Sequence, residues 1–203
     1  LLVSDLHLGK AATFRKLGVP VPEGTTLATL ARLDALLEQH QPAVLCVLGD
    51  LLHAPAAHTP LVIDALANWR ARHQALRVLL VRGNHDDRAG DPPPRCDIQV
   101  VDEPYAFAGL ALRHMPPRQQ AGLRGPTHAL AGHLHPVVSI ASRHDRVRLP
   151  CFLVQDDCLV LPAFGDFTGG WPVDPAGAAT VFPTDGERVY QLPRTSDATM
   201  RRR

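Results

Sequence analysis

The chain has 203 residues, 45% of them hydrophobic, which is enough to bury a sizeable core and fits one domain more easily than two. Its formal net charge of +1 excludes a bulk field of the kind that marks a basic nucleic-acid or membrane-surface binder, so attraction for phosphate has to come from a local patch. No apolar run of about 18 residues and no recognisable signal peptide occurs. The four cysteines, Cys46, Cys96, Cys151 and Cys158, lack paired or metal-ligand spacing and suit a reducing cytoplasm.

The first half reads strand, helix, strand, helix, strand. Leu1 to Ser4 is a short apolar strand; because no initiator Met precedes it, a truncated N-terminus is expected. Thr25 or Thr26 is expected to cap a helix whose Leu27, Leu30, Leu33 and Leu37 recur at helical spacing, ending near His40 before Pro42. Ala43 to Leu48 is a continuous apolar run, as in a strand covered on both faces, with Cys46 as a buried free thiol. Thr59-Pro60 opens the next helix, with Val62, Ala65, Leu66 and Trp69 inward, and Leu76 to Val81 is a third buried strand. Such alternation implies parallel strands with helical crossovers.

After the stiff loop Asp91 to Pro94, short strands follow one another: Ile98 to Val101, Tyr105 to Phe107, Leu110 to His114, His128 to Ala131 and Val137 to Ser142. One hairpin is expected around Asp156-Asp157, between Cys151–Gln155 and Cys158–Leu161. Another is expected around Asp185-Gly186, between Thr180–Phe182 and Arg188–Leu192. Arg194 to Arg203 has little to bury and reads as a disordered tail. An α/β half followed by a β-rich half predicts a two-layered sheet sandwich with helices outside.

Five motifs fall at the ends of apolar runs: Asp5-x-His7, Gly49-Asp50, Gly83-Asn84-His85-Asp86, His114 and Gly132-His133-x-His135. Each alone is common. In this order they offer seven oxygen or nitrogen side chains at the carboxyl ends of strands, where open α/β sheets place their chemistry. Period-2 spacing is expected to turn Asp5 and His7 to one side of a strand edge, and His133 and His135 likewise. Gly49 is expected to let the backbone approach the metals. Asp50 has two oxygens and can bridge two ions. The mixture of carboxylate, amide and imidazole suits Mn, Fe, Co or Zn better than Mg or Ca. Two ions about 3.5–4 Å apart clamp the attacking and leaving oxygens of a phosphoryl displacement. His85, beside Asn84, is placed to donate a proton to the leaving group. His40, His73, His128 and His144 read as surface or locally bonded residues.

These motifs resemble the calcineurin-like metallophosphoesterase superfamily over most of the chain, making 1–193 a single domain of that α/β fold. The resemblance implies that one metal takes Asp5, His7, Asp50 and His135, the other Asp50, Asn84, His114 and His133, with His85 the catalytic histidine. One position departs from the phosphatase branches: where they carry an Asp that pairs with the catalytic histidine, this chain has His53, and the partner of His85 is left open. The segments Asp5-Leu6-His7-Leu8-Gly9-Lys10, Gly132-His133-Leu134-His135-Pro136 and Pro162-Ala163-Phe164-Gly165-x-Phe167-Thr168-Gly169-Gly170 are similar to the bacterial ligase-associated DNA damage response endonucleases of the PdeM type. That similarity implies a manganese-dependent phosphodiesterase or nuclease acting with an ATP-dependent ligase and a helicase.

From the residues themselves, Lys10 and Arg15, and more weakly Arg88 and Arg113, are candidates to neutralise substrate phosphates. Phe164, Phe167 and Trp171 are expected to pack in the core, the alternative being a stacking surface for bases. The leading expectation is a phosphodiesterase on single-stranded DNA in bacterial repair. The alternatives are a phosphoesterase of small nucleotides or nucleotide-lipid pyrophosphates, and a catalytically silent interaction module. The nucleotide-lipid branch has Arg in place of His85 and a hydrophobic insertion, and this chain has neither.

Overall fold

A computed structural model of the chain describes residues 1–16, 18–22, 24–117, 128–141, 145–177 and 179–192. The expected tail at 194–203, Ser142 and His144 lie outside these residues. Four strands, β1 (Leu2–Val3), β2 (Val44–Leu48), β3 (Arg77–Val81) and β4 (Gln99–Val101), form one sheet in that order, all parallel. Helices α1 (Lys10–Lys16) and α2 (Thr25–His40) connect β1 to β2, α3 (Pro60–Arg72) connects β2 to β3, and the short α4 (Asn84–Ala89) follows β3.

The pleat explains the layering. Leu45, Val47, Val78 and Leu80 face the helices, where they meet Leu30, Leu33, Leu37, Val62, Leu66 and Trp69. Their alternates Cys46, Leu48, Leu79 and Val81 face the second sheet and meet Leu112 and Leu161. Both faces of the first sheet are therefore dry, each buried Leu or Val contributing about 1.5–3 kcal/mol, and the continuous apolar runs at β2 and β3 have their reason.

Thr59 caps α3 as its sequence predicts, accepting from the Val62 amide at 3.4 Å with Pro60 at the first helical position. For α2 the expectation is corrected: Gly24, left-handed at φ 81°, is the N-cap, and Thr26 Oγ1 instead accepts from the Gly9 amide at 3.3 Å. Leu27 is also corrected: it is 58% exposed, because the buried stripe runs through Thr29, Leu30, Leu33 and Leu37 and leaves it beyond the edge.

The second sheet holds β5 (Tyr105–Phe107), β6 (Leu110–Leu112), β7 (Ala129–Ala131), β8 (Pro136–Ala141), β9 (Arg146–Gln155), β10 (Cys158–Val160) and β11 (Trp171–Pro172), in the order β11-β8-β9-β10-β7-β6-β5. The hairpin at Asp156-Asp157 forms as expected, Cys158 pairing Gln155. The last hairpin forms in part: around Asp185-Gly186, Thr184 bridges Val189 antiparallel and the Tyr190 amide donates to Pro183 O at 2.8 Å, while β12 (Thr180–Pro183) takes β9 as its strand partner. The four cysteines are free and buried. Among the described residues no helix is long and apolar enough to cross a membrane.

Candidate metal centre

The carboxyl ends of β1, β2 and β3 point to one edge of the first sheet. β6 and β7, parallel to each other, bring His114 and then His133 and His135 to the same place from the second sheet. Backbone bonds continue the strands into the motifs: the Asp5 amide donates to Gly49 O at 3.1 Å and the His7 amide to Asp50 O at 2.8 Å. The Phe164 and Gly165 amides donate to Ser4 O at 2.8 Å and Asp5 O at 3.0 Å, holding segment 162–165 against the first motif.

The means of alignment differs from the period-2 expectation. β1 ends at Val3, and Asp5 and His7 are both left-handed, at φ 54° and 47°; Asp50, His133 and His135 are left-handed too, at 52°, 69° and 50°. Turned backbone, not an extended strand, presents these side chains, and non-glycine residues in this region carry strain that concentrates at functional sites. The role expected for Gly49 is refined similarly. Its missing side chain makes room for a ligand from the other sheet, since a Cβ there would stand 2.1 Å from His114 Nδ1.

Among the described residues three groups of donor atoms lie within 4.8 Å of one another: Asp5–His7–His135 and Asp50–His114–His133, which hold the expected ligands, and His7–His53–His85. In the first, His7 Nε2 and His135 Nε2 are 3.4 Å apart and His135 Nε2 is 3.3 Å from Asp5 Oδ1. In the second, His114 Nε2 lies 2.9 Å from Asn84 Oδ1 and 3.1 Å from His133 Nδ1. Asp50 joins them, its Oδ2 3.7 Å from His7 Nε2 and its Oδ1 3.5 Å from His114 Nε2. The structure thus brings together all seven residues that the sequence singles out.

The donor set fits cations. Asp5 and Asp50 are buried, and among the described residues their ion-pair partners are histidines rather than Lys or Arg. Burial holds the His7 pKa down at about 2, with further lowering from Lys10 and the neighbouring histidines, so its ring is neutral and free to ligate. Burial lowers His133 as well. Burial also opposes charge on His135, but the Asp5 carboxylate outweighs it and raises that pKa. Two buried carboxylates side by side are costly unless positive charge is supplied.

Around these donors lies a shell of residues that orients them. His135 Nδ1 donates to Thr168 O at 2.8 Å and His114 Nδ1 to Leu48 O at 3.1 Å. The His114 amide donates to Glu103 Oε2 at 2.7 Å, and the His133 amide donates to Asp5 Oδ2 at 3.0 Å. Glu103 has no signal in sequence, and Thr168 has only its place in the Pro162 to Gly170 motif, because the roles of both are set by tertiary approach. His85 finds its partner here: its Nδ1 donates to the backbone carbonyl of His53 at 2.6 Å, and the two rings stack at 4.9 Å. The same His53 imidazole also reaches the first donor group, its Nδ1 3.2 Å from His7 Nδ1. Burial, with Lys10 and His85 nearby, lowers the His53 pKa to about 4. Asp86 turns back to accept from the Leu52 and Gly83 amides, both at 3.0 Å, and burial raises its pKa to about 6.

The candidate phosphate contacts divide. Lys10 stands beside the centre, partly buried, where burial lowers its pKa while Asp50 and Asp5 oppose the shift. Arg15 is tied to the following loop, donating to Pro22 O at 3.1 Å and Val21 O at 3.5 Å. Arg88 is exposed on α4, and Arg113 is partly buried. The aromatic expectation is corrected for two of three residues. Phe164 packs on the helix-side core, but Phe167 is 46% and Trp171 63% exposed, because the glycine-rich segment carries them over the rim.

Turned strand ends from two facing sheets, converging in seven oxygen and nitrogen donors around the Asp50 carboxylate, define the class of metallohydrolases. The calcineurin-like phosphoesterase family profile matches residues 1–146, and the chain belongs to that family. It is a metal-dependent phosphoesterase. The crystal structure of the Pseudomonas putida nuclease MPE superimposes with a TM-score of 0.79 at 46% identity, covering 94% of this chain and 86% of that one. The E. coli phosphoesterase Yfce aligns over 96% of this chain and 92% of its own at 16% identity, with a TM-score of 0.44, too low a likeness to bear on function. No curated protein matches the chain.

Proposed function

We propose that the chain is a phosphodiesterase of nucleic acid, with single-stranded DNA as its substrate and manganese as its metal. Asp5, His7, Asp50 and His135 would hold one ion, and Asp50, Asn84, His114 and His133 the other. The observation that carries the two-ion reading is Asp50, whose two oxygens each lie within 4 Å of an imidazole of a different donor group. When bound, such a pair of ions polarises the phosphoryl group and supplies a nucleophile at neutral pH. The nitrogen-rich donor set favours a transition metal over Mg or Ca. The polymer substrate is supported by the likeness to a nuclease at 46% identity.

The chain's own residues then divide the work. Asp5 and Asp50 bring negative charge, and the neutral rings of His7 and His133 bring lone pairs. Because a carbonyl only accepts, the bond to His53 O fixes a proton on His85 Nδ1 and locks the ring; protonation at Nε2 makes His85 a donor to the leaving oxygen. The His85 amide donates to Asp50 Oδ1 at 2.9 Å, coupling the proton donor to the bridging carboxylate. Lys10 is the candidate for a phosphate beside the scissile one. Buried free thiols support a reducing cytoplasm as the setting. Association with an ATP-dependent ligase and a helicase rests on the sequence resemblance, and co-purification tests it.

The test of the substrate class is a panel with added manganese: a nitrophenyl phosphodiester, the matching monoester, single- and double-stranded DNA, RNA and a nucleotide-lipid pyrophosphate. The reading expects diester over monoester and cleavage of single-stranded DNA. Hydrolysis of the pyrophosphate with DNA left intact would overturn it.

A further inference from the structure

A cleft of about 290 Å³ opens beside His135, lined among others by Arg32, Pro150, Phe164, Phe167 and Thr168. A second, much narrower one contains His7 and Lys10, and it shares Asp166 and Phe167 with the first. Phe167 is therefore a wall common to both, one cleft lined also by His135 and the other by His7. Its backbone is left-handed at φ 57°, and its side chain is 46% exposed. A bulky aromatic gains nothing from either condition, and strain retained at a site is a signal of use.

The segment is fastened to the centre before that residue, where the Gly165 amide donates to Asp5 O at 3.0 Å, and after it. Thr168 O accepts from His135 Nδ1 at 2.8 Å, and the Trp171 amide donates to His135 O at 2.9 Å. The neighbouring aromatic is already occupied: the Arg32 guanidinium lies 4.6 Å over Phe164 and pairs with Asp166 at 3.1 Å. An apolar ring flanked by Arg32, Asp166 and exposed backbone suits a flat polar heterocycle better than an alkyl chain.

We propose that Phe167 is a stacking platform for a nucleobase next to the scissile phosphate, and that the cleft beside His135 is its base subsite. This rests on the nucleic-acid reading above and adds where the polymer is gripped. Stacking on an aromatic face tolerates any base, so the subsite gives grip without sequence preference.

The test measures binding of a dye-labelled oligothymidylate by fluorescence anisotropy, with calcium replacing manganese to prevent turnover. It is run beside an oligomer of the same length made of abasic residues. For the wild-type chain, loss of the bases weakens binding roughly 5- to 100-fold, the usual worth of a stacked base. Phe167→Ala weakens binding of the thymidylate by a similar factor and binds the abasic oligomer as the wild type does; Phe167→Tyr restores the difference. Metal content of each variant, unchanged, shows that the centre is intact. Equal wild-type binding of both oligomers would overturn the subsite even if every variant failed to fold, and so would a Phe167→Ala protein that still distinguishes them. A wild-type chain that neither binds nor cuts DNA yet hydrolyses a nitrophenyl diester would sink the nucleic-acid reading itself.

Discussion

Gly49 and His114 come from different sheets and occupy the same space: a Cβ on Gly49 would stand 2.1 Å from His114 Nδ1, and the glycine itself is left-handed at φ 83°. Asp50 follows directly in sequence, so Gly49 ties its position to that of His114. Gly49→Ala is expected to push the imidazole away, lowering metal affinity or activity by about 10- to 100-fold and stability by about 1–3 kcal/mol. Metal titration of the purified variant checks this. Wild-type affinity and turnover would show that the ring has room to move.

His85→Ala is expected to keep both ions while turnover drops by roughly 10²- to 10⁴-fold. The loss should shrink on nitrophenolate esters, whose leaving group needs little protonation. Rates on a series of diesters with graded leaving groups decide it; a constant loss across the series would assign His85 an electrostatic role instead.

Lys10 and Arg15 have different surroundings and should behave differently. Lys10→Ala should raise the Michaelis constant more on single-stranded DNA than on a small diester and flatten the salt dependence, since fewer counterions are released on binding. Arg15→Ala, which frees the carbonyls of Val21 and Pro22, should act on thermal stability and affect both substrates alike. A polymer-specific defect in Arg15→Ala would return it to the substrate path.

Asp34 accepts from Trp69 Nε1 at 2.7 Å, His73 Nε2 at 2.7 Å and Arg72 Nη2 at 2.9 Å, joining α2 to α3. Burial alone would raise its pKa, but these hydrogen bonds outweigh it and hold the pKa below 3.8. A depressed carboxylate stabilises fully above its unfolded-state value and loses that contribution as pH falls through the folded one. The melting temperature of Asp34→Ala should therefore lie below wild type at neutral pH, with the gap narrowing in acid below about pH 4. A gap that does not change with pH would mean packing rather than charge is lost.

Much of the fold is readable in the chain because local pattern carries it. Unbroken runs at Val44–Leu48 and Val78–Val81 announce strands covered on both faces, and Thr59-Pro60 announces a capped helix. The seven donors are legible because each ends an apolar run. What escapes depends on distant approach. No local signal says that the His53 carbonyl will meet His85, that Glu103 will accept the His114 amide, or that Thr180–Pro183 will pair with β9. The left-handed turns at Asp5 and His7 are hidden too, because φ above zero is rarely spelled by residues other than glycine or asparagine.

On the proposed reading, one carboxylate, Asp50, joins two metal sites into a single hydrolytic centre. The most direct measurement is metal stoichiometry by elemental analysis of wild type and Asp50→Asn, paired with hydrolysis of a nitrophenyl phosphodiester. The wild-type chain should bind two ions. Asp50→Asn should stay folded on its buried Leu and Val, bind fewer than two, and hydrolyse nothing above background. A soluble Asp50→Asn protein that holds two ions and turns over at near the wild-type rate would contradict the binuclear centre as assigned.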